Sequence, residues 1–130
     1  MPGPGFVASE DLSANQFRAV KMSAAASFEV SAITNANAEK PFGIQQNNPD
    51  TIGEAVEVAL PGEICKAEYG DTVDEGEYLS CDNDGKLIPA PYETSPATAD
   101  LYIFAMALEA GAVSEIHYVL LLTPVLASTE

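Results

Sequence analysis

His117 is the only histidine of the chain, and with Cys65 and Cys81 it completes the short inventory of side chains able to move a proton or attack an electrophile near neutral pH. It sits in Glu115-Ile116-His117-Tyr118-Val119, where strand alternation places it opposite Ile116 and Tyr118 and beside Glu115 and Val119. No Ser or Cys motif accompanies it, so a histidine on a strand surface or interface is expected rather than a general base. Lys66 follows Cys65 and would lower its pKa, but alternation sends the two side chains to opposite faces. A packed thiol is the expectation.

Metal and carrier chemistry fare no better. Asp82-Asn83-Asp84-Gly85 has the composition of the start of a calcium loop, yet Ser80 stands where its first carboxylate belongs and Pro91 where its bidentate Glu belongs. A hairpin turn explains the same residues. Gly70-Asp71-Thr72-Val73-Asp74-Glu75-Gly76-Glu77-Tyr78-Leu79 has the rhythm by which biotinyl and lipoyl domains turn a strand corner, but Lys86 lacks the Met or Ala neighbours of a carrier lysine. No CxxC, HExxH or Walker pattern occurs. Neither an enzyme nor a bound cofactor or metal is expected.

The elements that would carry such residues belong to a folded chain: 130 residues, 47% hydrophobic and 19% charged, long enough for one domain or two very small fused units. Twenty acidic residues against five Lys and Arg give a net charge of −15, a field that repels nucleic acid. The acidic residues are dispersed, as on a solvated surface. Met1-Pro2-Gly3-Pro4-Gly5 has neither a basic region nor an apolar run, so no export signal is expected and the two thiols should be reduced and partly buried. Ile116 to Leu122 is too short to cross a bilayer, and no membrane partner is expected.

An internal repeat organises the chain at an offset of about 61 residues. Gly53 to Leu60 lines up with Ser114 to Leu121, Phe42 to Asn47 with Phe104 to Glu109 after a one-residue slip, and Asp11 to Phe17 with Asp71 to Tyr78. Residues 10–60 and 63–122 therefore read as two similar β units joined at Pro61-Gly62, preceded by a flexible arm over 1–9 and followed by a tail over 123–130. The repeat decides Ala97 to Ala112, which by propensity alone is a helix candidate. Tyr102, Phe104, Met106 and Leu108 alternate with Ile103, Ala105 and Ala107, and strand is the better assignment. Strands are also expected over Leu12 to Met22, at Val56 to Leu60, at Ile116 to Leu122, and as a hairpin of Tyr78 to Cys81 with Lys86 to Ile88. The sum is an all-β protein with little helix, a small barrel or sandwich of β-tulip-like form.

Ile103 to Ala112 followed by Glu115 to Leu122, the earlier half-copy Gly43 to Pro49 with Gly53 to Val58, and the Gly70 to Leu79 stretch with the Asp-Gly-Lys hairpin resemble the capsid decoration, or cement, proteins of tailed bacteriophages. The likeness spans about Leu12 to Leu122; Ala105 stands where that family usually has Gly, and the tail lies outside it. The resemblance implies a non-enzymatic virion protein, a homotrimer on the outer surface of an icosahedral head, bound to the major capsid protein and tying its subunits together. Such a protein passes through the host cytoplasm during assembly. The alternatives are the base of a head fibre or a host-surface adhesion module. Phe6 and Val7 in the arm are the expected capsid contact, and Tyr118 and Leu122 the expected self-association contact.

Overall fold

Alternating apolar residues and left-handed turn positions give eleven strands, most of two to five residues, in the computed structural model, which describes residues 5–23, 27–35, 39–90 and 101–127. They are β1 (Phe6–Ala8), β2 (Ala19–Met22), β3 (Glu29–Ala32), β4 (Gly43–Gln45), β5 (Ala55–Val56), β6 (Val58–Ala59), β7 (Ile64–Glu68), β8 (Tyr78–Cys81), β9 (Leu87–Pro89), β10 (Leu101–Ala107) and β11 (Ile116–Ala127). No helix occurs among the described residues. The first sheet runs β5-β1-β3-β2-β4-β6 and the second β7-β11-β10-β8-β9.

Both sheets curl into rings. Glu57 alone separates β5 from β6, so the two edges of the first sheet are one interrupted strand and the ring is closed. A parallel bridge between Tyr69 and Leu87 joins the outer edges of the second. Closure removes the exposed edges that short open sheets present to other chains.

The rings are two similar units, strand for strand and residue for residue. Phe6 faces Val56 in the first and Ala67 faces His117 in the second, a step of 61 residues on both sides. Ile44 faces Ala59 and Met106 faces Leu120, steps of 62 and 61, which is the slip visible in the sequence. The parallel pair Ala8–Val30 answers to the closing bridge Tyr69–Leu87. Left-handed residues pair in the same order at steps that shorten through the β2–β3 region: Phe17 (φ 67°) answers to Gly76 (86°) at a step of 59, Phe28 (61°) to Gly85 (83°) at 57, as Val30 does to Leu87, and Gly53 (91°) to Ser114 (71°) at 61. At each such corner one copy has glycine, which carries no Cβ penalty there, and the other tolerates a side chain.

Each ring packs its own interior. Ala8, Leu12, Val20, Val30 and Val56 fill the first barrel, with Phe6, Phe42 and Val58 against them. In the second, Tyr69, Val73, Leu79 and Leu87 take the equivalent places, with Phe104 in the position of Phe42. Phe6 and Ala8 become Ala67 and Tyr69, so the aromatic ring moves one inward-facing position along the strand and the summed volume is nearly kept.

The barrels join through an outer face of the first. Ala19, Ile44 and Ala59 lie side by side across β2, β4 and β6 and share one buried cluster with the interior of the second barrel. Backbone bonds stitch the edge: the Glu68 N–H donates to Phe17 O (2.8 Å) and the Ala19 N–H to Gly85 O (2.8 Å). The Gln46 side-chain amide donates to Lys66 O (2.9 Å), and Arg18 pairs with Glu68 (3.0 Å).

Three sequence-based expectations meet a different arrangement. Phe6–Ala8, read as part of a flexible arm, is strand β1 between β3 and β5, because the Phe6 ring packs with Phe28 and Phe42 at the mouth of the first barrel; residues 1–4 lie outside the described residues. Residues 123–127, read as tail, continue β11, with Ala127 opposite Leu101; 128–130 lie outside the description. Leu12 to Arg18 is a compact turn instead of a strand, since Leu12 is buried with its N–H on Pro49 O and Phe17 reverses the chain in a left-handed conformation. The Tyr78–Cys81 hairpin forms as read, with Ser80 opposite Ile88.

Candidate interaction surfaces and the His117 cluster

The two thiols lie inside the buried cluster of the second barrel. Cys65 and Cys81 are free and buried. Burial, reinforced by Glu63 at Cys65 and by Asp82 and Glu39 at Cys81, pushes each thiol up to about 12, so neither is a thiolate near neutral pH. Asp82 turns its carboxylate back on its own loop, accepting from the Asp84 and Lys86 amides at 2.9 Å, which is a turn-forming role. Lys86 lies 3.7 Å from Glu68 in an ion pair. Among the described residues no group of three or more His, Cys, Asp or Glu side chains is placed to hold a metal ion.

His117 is the centre of a compact polar cluster. It lies on the face of β11 opposite Ile116 and Tyr118, and its ring packs on Tyr69 at 5.2 Å. Nδ1 is 3.0 Å from Glu109 Oε1 and Nε2 is 3.0 Å from Glu115 Oε1. Both ring nitrogens face carboxylates, and only the imidazolium donates to both. The Glu115 contact above all, then Glu109, raises the His117 pKa against the lowering effect of burial. Glu109 is held below its ordinary value by the Tyr118 amide and by His117, and Glu115 by His117 and the Ala112 amide.

The first barrel shows which part of this is structural. Asn47 Oδ1 accepts from the Glu57 amide as Glu109 Oε1 accepts from Tyr118, and Glu54 accepts from Thr51 as Glu115 does from Ala112. Val56 stands where His117 stands. The caps are common to both copies; the imidazolium bridge belongs to the second alone.

The remaining candidates are surfaces. Phe6 and Val7 are half-buried at the mouth of the first barrel, the Val7 N–H bonded to Phe28 O (2.9 Å), while Phe28 and Met22 beside them are each 45% exposed. Tyr118, 46% exposed, and half-buried Leu122 share the outer face of β11 with Ile116 and Leu120. That face continues sideways: Ile64, Leu120, Met106 and Tyr78 form one row across β7, β11, β10 and β8. Sequence reading found the β11 end of this patch but not Ile64 or Tyr78, whose membership depends on register. The structure keeps Phe6 and Val7 apart from Tyr118 and Leu122, on different barrels.

No protein-family model matches the chain, and no curated protein matches it in sequence. Its fold is similar to the crystal structure of the head fiber gp8.5 N base in bacteriophage phi29, with a TM-score of 0.63 over 98% of this chain and 96% of that one, at 16% sequence identity. At that identity the likeness is one of fold.

Proposed function

We propose that the chain is a structural component of the outer surface of a tailed-phage head, and that it serves as the base through which a head fibre is seated on the shell. The observation that carries this reading is the extent of the fold likeness. A single small barrel is common to many functions, but 98% and 96% coverage includes both barrels and the junction between them. Buried thiols, a self-satisfied Asp82 turn and a His117 held between two glutamates suit a binding body rather than a catalyst.

The partner in this reading is the major capsid protein, contacted by the exterior of the assembled shell, where a charge of −15 stands away from packaged nucleic acid. Repeated copies on a lattice add weak contacts through multivalency. Capsid cementing is the second reading, favoured by the resemblance of Ile103 to Leu122 and of the half-copy from Gly43 to decoration proteins. Phe6 and Val7 remain the proposed capsid contact, now as part of a barrel mouth and not a free arm.

Expanded heads lacking surface proteins, mixed with the purified chain and sedimented, test both. Co-sedimentation with an unchanged head melting temperature supports the fibre base; co-sedimentation with a raised one supports cementing. A chain that binds cells or glycans and no head removes both readings in favour of an adhesin.

A further inference from the structure

The internal junction has a counterpart that no described residue packs over. Ala19, Ile44 and Ala59 on the first barrel are buried at 0%, 0% and 7% exposure by the second barrel. Their equivalents by strand register are Tyr78, Met106 and Leu120: Tyr78 faces Met106 as Ala19 faces Ile44, and Met106 faces Leu120 as Ile44 faces Ala59. On the second barrel the ends of this row are open, Tyr78 being 48% exposed and Ile64, which extends it, 63% exposed, while Met106 and Leu120 between them are half-buried. The element that covers the first-barrel face is the corner of β7 and the β8–β9 turn, Glu68 with Gly85. Its equivalent on the first barrel is the corner where Val7 of β1 meets Phe28, and among the described residues there Phe28 and Met22 are each 45% exposed.

The two open surfaces are therefore the two halves of one junction, both apolar. They also differ from the internal pair in a matched way. Gly85 lets the Ala19 backbone approach closely: a Cβ there would lie 3.1 Å from Ala19 O. Phe28 instead projects a ring, and its carbonyl is already taken by the Val7 N–H. Across from it, Tyr78 and Leu120 replace Ala19 and Ala59, so large side chains meet large side chains where the internal junction has backbone against small residues.

We propose that copies of this chain associate head to tail, the Phe28–Met22 corner of one copy packing on the Tyr78–Met106–Leu120–Ile64 row of the next. Contact between unlike faces repeats around a ring or along a chain of copies. The charge of −15 opposes it, so association strengthens as salt shortens the Debye length from about 30 Å at low ionic strength to about 8 Å at physiological strength. The inference needs no capsid, but it uses the mouth beside Phe6 and Val7, so a docked copy and the capsid contact proposed above are alternative occupants of that mouth.

Sedimentation velocity of the purified chain over a concentration series, at low and physiological salt, tests it. The mean mass should rise with concentration and with salt. Tyr78→Lys and Phe28→Ser, both at exposed positions and checked for folding by circular dichroism, should each weaken association roughly 30-fold, the scale of losing an interface anchor. Mixed together, the two variants should form a one-to-one dimer and nothing larger, since each retains the half that the other lacks. A chain that stays monomeric throughout, or a mixture that does not pair, overturns the proposal.

Discussion

Phe28 and Gly85 occupy the same left-handed corner of the two barrels, at φ 61° and 83°, and the residue type decides what the corner does. With glycine the corner admits a neighbouring backbone; with phenylalanine it closes on Val7 and turns a ring outward. The pairing of Ser114 with Gly53 offers the cleanest energetic reading, because Ser114 is exposed and a Cβ on Gly53 would meet nothing within 4 Å. Ser114→Gly should stabilise the protein by about 1 kcal/mol and Gly53→Ser destabilise it by about 1–2 kcal/mol, the cost of left-handed backbone for an L-residue. Urea titration of the two variants reads both signs, and equal signs would contradict the assignment.

Gly43 and Ala105 are likewise equivalent, and only the second has room for a methyl. A Cβ on Gly43 would come within 2.6 Å of Val58 Cγ1 and closer still to Ala59 O, whereas the Ala105 methyl is fully buried in the second barrel. Gly43→Ala should cost about 1–3 kcal/mol through overpacking. Ala105→Gly should cost about 1 kcal/mol through lost burial and added chain entropy. Thermal melts in which Gly43→Ala is neutral would show that β6 moves aside freely.

The His117 bridge sets a pH window. Its raised pKa contributes stability that is present below the ordinary value of 6.5 and is lost as pH rises through the higher folded value. The lowered pKa values of Glu109 and Glu115 contribute above the ordinary 4.5 and fade as pH falls through their folded values. Stability from the cluster should therefore peak between the two ranges. Replacing His117 with valine, the residue of the first barrel, should flatten the alkaline side of the profile, and NMR titration of the wild-type imidazole should give a midpoint above 6.5. A midpoint below it would mean the carboxylates do not hold the ring.

Both thiols should resist alkylation in the native protein at pH 8, because burial keeps them protonated up to about 12. Labelling should appear only with global unfolding, so its rate in moderate urea should follow the unfolding transition. Rapid modification of Cys65 in water would point to local opening of β7.

The sequence carried the all-β class and the pair of similar units, because apolar alternation and turn residues recur at nearly constant spacing. Its one-residue slip between Phe42 and Phe104 reappears as the difference between steps of 62 and 61 in the strand pairing. What alternation could not reveal was anything too short to alternate. β1 has three residues behind a Pro-Gly run, and β5 and β6 have two each, so Val56 to Leu60 reads as one strand although the ladder breaks at Glu57. Phe17 and Phe28 are left-handed without being glycine, and only comparison with Gly76 and Gly85 could have marked them. The exposed row from Ile64 to Tyr78 is drawn from three strand pairings and has no linear signature.

The division of strands between the rings also fixes an order of events on the ribosome. Every strand of the first ring precedes Pro61, so that ring can close while the second is still being made. Until Glu68 and Gly85 emerge, its Ala19–Ile44–Ala59 face has no cover. At roughly 5–20 residues per second, the chain from Ala59 to Gly85 takes on the order of 1–5 s to appear. For that interval the nascent chain displays an apolar face that the finished protein hides, and the brevity of the linker between the rings keeps the interval short.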